Sequence, residues 1–154
     1  MTIDTKEVRS ILNDLIQTCK DGQQGFLDAA HHVQDANVRA MFLELSQQRS
    51  GFAGELQQEV TRLRGFPETT GTTTAALHRG WVDFKAKIRG QSDQAAVSEA
   101  ERGEDVAVKA YREAIERELP GDVRDVIERQ FNAVLDAHRR VHSLEVVRAS
   151  GGAA

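Results

Sequence analysis

The chain is predicted to be all-α, a bundle of four long helices joined short, long, short. Three observations carry this. Apolar residues recur with alternating three- and four-residue spacing through four stretches, near 5–33, 37–64, 93–118 and 122–148. Clusters of β-branched and aromatic residues with period-two alternation are absent, so no strand is expected. The two prolines, Pro67 and Pro120, both fall between periodic stretches.

The first stretch places Val8, Leu12, Leu15, Cys19, Gly22, Phe26, Ala29 and Val33 on one stripe. Gln34-Asp35-Ala36 turns the chain, with Asp35 as the expected N-cap of the second helix. Its stripe is Val38, Phe42, Leu45, Arg49, Phe52 and Leu56, with Val60 one step off. Gly65-Phe66-Pro67 stops it, and a Thr-rich run from Thr69 to Thr74 follows. Ala76, Leu77, Trp81, Phe84 and Ile88 then mark a shorter helix near 75–89, and Trp81 and Phe84 are expected to dock it or to form a dimer surface. This middle section can travel the bundle's height, about 40 Å, and deliver the third helix parallel to the second. The third stripe is Val97, Ala100, Glu104, Val108, Tyr111 and Ile115, with an extra step near Ala107. Leu119-Pro120-Gly121-Asp122 makes a second tight turn, Asp122 being the expected cap, and the fourth stripe is Val123, Ile127, Phe131, Val134, His138 and Val141. One domain over 1–148 and a frayed tail over 149–154 are expected.

Composition narrows function. The balance of 20 basic and 24 acidic residues, net −4, offers no general attraction to nucleic acid or acidic membranes. No apolar run approaches the ~18 residues of a membrane span, and the N-terminus lacks the pattern of a secretory signal. The single cysteine cannot form an intrachain disulfide and suits a reducing cytoplasm, the expected location.

Arg49, Glu104 and His138 are unexpected on apolar stripes. Counted from the two tight turns, they and Cys19 all fall near mid-helix. One residue from each helix is therefore expected in a polar layer at the bundle centre, with Gln48 or Gln130 meeting leftover hydrogen-bonding demand. A buried guanidinium needs a carboxylate partner, and Glu104 is the nearest in height. Gly22 and Gly51, at matching heights, are expected to admit close helix approach or a long side chain.

Leu12-Asn13-Asp14-Leu15-Ile16 through Phe26-Leu27-Asp28-Ala29-Ala30 resembles the first helix of ferritin-like proteins. Phe42-Leu43-Glu44 through Ala53 to Leu56 is similar to the second helix of rubrerythrins, and Gly103-Glu104 followed by Tyr111 resembles the third. Cys19-Lys20-Asp21-Gly22 and Ala76-Leu77-His78-Arg79-Gly80-Trp81 resemble an uncharacterised bacterial branch of that superfamily, a domain of unknown function numbered family 2383. The short, long, short connection order is also that of ferritin-like bundles. The resemblance implies a di-iron site with Glu on two helices and Glu-x-x-His on the others. Carried across, the ligand positions hold Cys19, Arg49, Phe52, Glu104, Leu135 and His138, so only Glu104 and His138 survive. The resemblance therefore implies a degenerate site, no expected metal or other cofactor, and no catalytic residues. The protein is expected to act as a structural, stress-associated or interaction protein and as a homo-oligomer, a dimer first. The alternative is an iron- or manganese-binding oxidoreductase or iron-handling protein using Glu104 and His138.

Peripheral chemistry is sparse. His138 and His142 share a helix face at i,i+4, and His31 and His32 are placed to approach His142 as further candidates for a zinc or iron site. Cys19 beside Arg49 is a candidate reactive thiol, since a cation favours thiolate. His138-Arg139-Arg140 could meet phosphate, but no aromatic platform accompanies it. Ser-His-Asp, phosphate-loop and C-x-x-C patterns are absent.

Overall fold

The structure is a computed structural model that describes residues 3–65 and 92–151. Among them are four helices and no strand: α1 Thr5–His32, α2 Ala36–Arg62, α3 Asp93–Ile115 and α4 Gly121–Gly151. The expected crossover helix near 75–89, with Trp81 and Phe84, lies outside the described residues. So do 152–154 of the expected tail, whereas 149–151 continue α4.

Each helix start has a local cause. Asp4 accepts from the backbone N–H of Lys6, Asp35 from those of Asn37 and Val38, and Ser92 from that of Ala95. Each satisfies an N–H that the helix itself leaves without an acceptor. Asp122 does not cap α4, contrary to expectation. The helix begins one residue earlier, with the Arg124 N–H on the Pro120 carbonyl at 2.8 Å, and Asp122 in the first turn pairs with Arg62.

The helices form two antiparallel hairpins, α1–α2 and α3–α4, joined where α1 packs on α3 and α2 on α4. Two contacts set their direction. The Asp93 carboxylate at the start of α3 accepts the Gln34 and Asp35 N–H groups at the end of α1, at 2.9 and 2.8 Å. At the other end, Ile3 N–H meets the Glu118 carbonyl. Helix α3 thus runs antiparallel to α1 and parallel to α2, which it faces across the bundle diagonal.

The core is two apolar clusters stacked along the bundle. One holds Leu12, Leu15, Leu56, Tyr111 and Ile127; the other holds Phe26, Phe42, Leu45, Val97 and Val141. All eight residues of the α1 stripe are buried. On α3 the buried line is Val97, Ala100, Glu104, Ala107, Tyr111 and Ala114, an unbroken three–four alternation. The expected extra step is absent because Ala107 itself points inward, leaving Val108 and Ile115 at the margin. On α4 the buried line is Val123, Ile127, Gln130, Val134, Ala137 and Val141. Phe131 and His138 sit one position past that line and are only half-buried. His138 is therefore displaced from the central layer by helical register: Ala137 takes the inward place.

Candidate functional site

Between the two apolar clusters lie Arg49 and Glu104, 1% and 0% exposed. Arg49 on α2 follows Leu45 by one turn, and Glu104 on α3 follows Ala100 by one turn. The parallel diagonal helices bring the two side chains end to end. Arg49 Nη1 donates to Glu104 Oε1 at 2.5 Å and Nη2 to Oε2 at 2.6 Å, a two-pronged charge-assisted contact. Arg49 Nε donates to Gln48 Oε1 at 3.1 Å. The guanidinium carbon also lies 5.5 Å from the Phe26 ring centre, within cation–π range.

Room for the guanidinium comes from α1. A Cβ on Gly22 would stand 3.4 Å from Arg49 Nη1 and 3.5 Å from its Cγ. The glycine therefore faces the arginine as its height suggested. Gly51 has no such role, being exposed with nothing within 4 Å of where a Cβ would stand. Burial works against the Arg49 charge, but the adjoining Glu104 carboxylate outweighs it and holds the guanidinium more firmly protonated than usual.

About one turn away runs a second polar set. Cys19 Sγ lies 3.1 Å from Tyr111 Oη. Tyr111 donates to Gln130 Oε1 at 2.7 Å, which leaves its oxygen free to accept the thiol proton. Gln130 Nε2 donates to Glu55 Oε1 at 3.1 Å and to the Phe52 carbonyl at 3.3 Å. Glu55 in turn accepts from Arg129 at the surface, which lowers its pKa. A chain of polar contacts thus crosses from α1 through α3 and α4 to α2 and reaches solvent. Burial pushes the Cys19 thiol up to about 11, outweighing the Tyr111 hydrogen bond and the Arg49 charge that favour thiolate. Cys19 is a buried thiol whose surroundings favour the protonated form, the burial outweighing its cationic neighbour. Tyr111 is likewise raised well above the phenol range, first by burial and then by the adjoining thiol.

A family model described as a domain of unknown function, DUF2383, matches residues 7–117. The chain belongs to that family. No curated protein matches the sequence. Among solved structures, the fold is similar to the bacterioferritin-related protein of Bacteroides fragilis, described as a dodecameric thioferritin. The TM-score is 0.76 at 13% identity, over 98% of this chain and 92% of that one. It is also similar to a phenylalanine-to-glutamate mutant of Dps1 from Mycobacterium smegmatis, with TM-score 0.73 and 16% identity, over 92% and 96% of the respective chains. The fold of this DUF2383 protein is ferritin-like.

The sequence resemblance implies a di-iron centre, and the described residues at the positions it carries across do not assemble the donor set of one. At the positions carried across by resemblance, Cys19 is hydrogen-bonded to Tyr111, Phe52 and Leu135 offer no metal-donor atom, and Arg49 is a cation. Both oxygens of Glu104 are engaged by that cation. His138 is on the outer surface, its Nε2 2.6 Å from Asp105 Oδ1. Among the described residues, no group of three or more His, Cys, Asp or Glu side chains is placed to hold a metal ion. His31 and His32 do not gather with His142, because α1 and α4 occupy opposite corners and His142 turns to Glu101 on α3. The basic run on α4 is also paired with carboxylates: Arg139 with Asp136 and Arg140 with Glu44. No helix among the described residues is long and apolar enough to cross a membrane.

The Tyr111–Gln130–Glu55 connection was not expected from the sequence. Its signal was the spacing of Gln130, three residues after Ile127 and four before Val134.

Proposed function

We propose that the DUF2383 chain is a ferritin-like bundle that has exchanged the di-iron centre for an internal ion pair. It acts without catalysis, through its surface, as a homo-oligomeric structural, stress-associated or interaction protein of the cytoplasm. The observation that carries this is the two-pronged Arg49–Glu104 contact in a fully buried layer. A dication drawn to that level would meet a fixed positive charge, with both oxygens of the Glu104 carboxylate already engaged. The dodecameric state of the Bacteroides fragilis protein supports self-assembly as a use of this fold. A dimer is the smallest such assembly.

The test is to express the protein in iron- and manganese-supplemented medium, purify it without chelator, and measure metal content, ferroxidase turnover and mass in solution. Iron and manganese far below one per chain, no turnover, and a defined oligomer are expected. Stoichiometric iron or manganese that disappears in Glu104→Ala would replace this reading with that of an iron-handling protein or metal-dependent oxidoreductase. A monomer at micromolar concentration would remove the oligomeric part.

A further inference from the structure

Two histidines on the outside of the bundle share an arrangement that the central layer does not use. His138 and His142 stand one turn apart on α4, and the facing helix α3 carries Asp105 and Glu101, also one turn apart. Because the helices run antiparallel, the residues pair as two successive rungs. His138 Nε2 lies 2.6 Å from Asp105 Oδ1, and His142 Nδ1 lies 2.6 Å from Glu101 Oε1. An ionised carboxylate only accepts, so in the neutral imidazole each contacting nitrogen carries the proton. The lone pair is then left on the other nitrogen, Nδ1 of His138 and Nε2 of His142. Imidazole held by a carboxylate through one nitrogen, with the other free, is the state in which histidine ligates metal.

We propose that this face of α3–α4 is a site for a divalent transition-metal ion of the zinc class, with His138 and His142 as ligands and Asp105 and Glu101 holding their rings. Imidazoles at i,i+4 lie on the same helix face and can chelate one ion. Imidazole nitrogen suits zinc, copper or nickel over magnesium or calcium. Water completes the coordination, since the side chains are open to solvent, 27% exposed for His138 and 57% for His142. This site is independent of the ion-paired core: it uses no residue of the central layer, and it can be filled while that layer stays metal-free.

The probe is zinc ion alone, titrated into the intact protein near neutral pH against a chromogenic chelator. One equivalent per chain is expected, weakened about tenfold or more by His138→Gln or His142→Gln. Asp105→Asn, which keeps the size but loses the charged acceptor, is expected to weaken it by about 10- to 100-fold. Imidazole nitrogen NMR on the zinc form is expected to show metal at His138 Nδ1 and His142 Nε2. Helicity measured on each variant separates loss of a ligand from loss of fold. No zinc uptake, or uptake unchanged when both histidines are replaced, overturns the proposal. So does uptake that depends instead on His31 and His32. Uptake abolished by Glu104→Gln while the double histidine variant still binds would overturn this proposal and the ion-paired core together. Zinc binding lost only with His138 and His142 leaves the core reading untouched.

Discussion

The Arg49 guanidinium and the Glu104 carboxylate meet in parallel across the bundle diagonal, at 2.5 and 2.6 Å, with neither side chain more than 1% exposed. Two long helices that do not pack directly on each other are tied through the middle of the molecule. Burying both charges removes water from each, and their attraction roughly offsets that cost only while both are present.

Breaking this pair from one side is therefore expected to be far worse than removing it. Arg49→Met or Glu104→Leu alone should each destabilise by about 3–5 kcal/mol, because a lone charge is left in an apolar layer. The double replacement should lie within about 1–2 kcal/mol of the parent, or above it. Urea unfolding of the four proteins gives the coupling directly. Additive losses would show that the two side chains do not depend on one another.

Glycine substitutions should separate the residue that houses the guanidinium from those that merely interrupt α2. Gly51→Ala and Gly54→Ala add a methyl into open space, and each should raise stability by about 0.5–1 kcal/mol through helix propensity alone. Gly22→Ala should show a smaller gain or a loss, since its methyl touches Arg49. Melting temperatures of the three variants provide the comparison, and equal gains would remove Gly22 from the site.

Alkaline pH should weaken the fold in a way that traces to Cys19. The thiol ionises near 9.0 in an exposed setting but near 11 in the bundle. Its contribution is intact below about pH 9 and is lost as pH rises toward 11, at up to about 1.4 kcal/mol per pH unit. Unfolding curves from pH 8 to 11 should fall less steeply for Cys19→Ala than for the parent. As the protein has a single cysteine, labelling by a thiol reagent at pH 8 should proceed only as fast as the bundle opens. Rapid labelling of the native protein would contradict the packed-thiol account.

At the end of the bundle, Asp93 accepts two backbone N–H groups of the α1–α2 turn. Asp93→Ala should cost about 1–3 kcal/mol, and Asp93→Asn, which keeps one good acceptor, should fall between it and the parent. Hydrogen exchange at Gln34 and Asp35 should accelerate in the alanine variant. Unchanged protection there would mean that the turn holds without the clamp.

Much of the architecture followed from residue spacing, because burying a helix stripe demands it. The α1 stripe from Val8 to Val33 is continuous and apolar apart from Cys19, and every member is buried. The α4 stripe illustrates where spacing misleads. Gln130 and Phe131 compete for one inward position, and hydrophobicity favours the phenylalanine. The glutamine goes inward because Tyr111, Glu55 and the Phe52 carbonyl satisfy its amide. Those partners are distant in sequence, so no local signal reveals them. Shifting one position at Phe131 also moved the expected inward residue from Ala137 to His138. The Arg49–Glu104 partnership could be reasoned out because an isolated internal charge is so costly. The surface partners of His138 and His142 could not, since exposed carboxylates on α3 are interchangeable until the relative rotation of α3 and α4 is known.

The central ion pair also bears on how two halves of the molecule find their alignment. Arg49 belongs to the α1–α2 hairpin and Glu104 to the α3–α4 hairpin. Apolar faces tolerate sliding by a turn, since one leucine replaces another against the same neighbours. Opposite charges do not: a slip of about 5.4 Å, the helix pitch, would strand both in hydrocarbon. The pair thus favours, like a vernier, the alignment of the hairpins in which both charges meet.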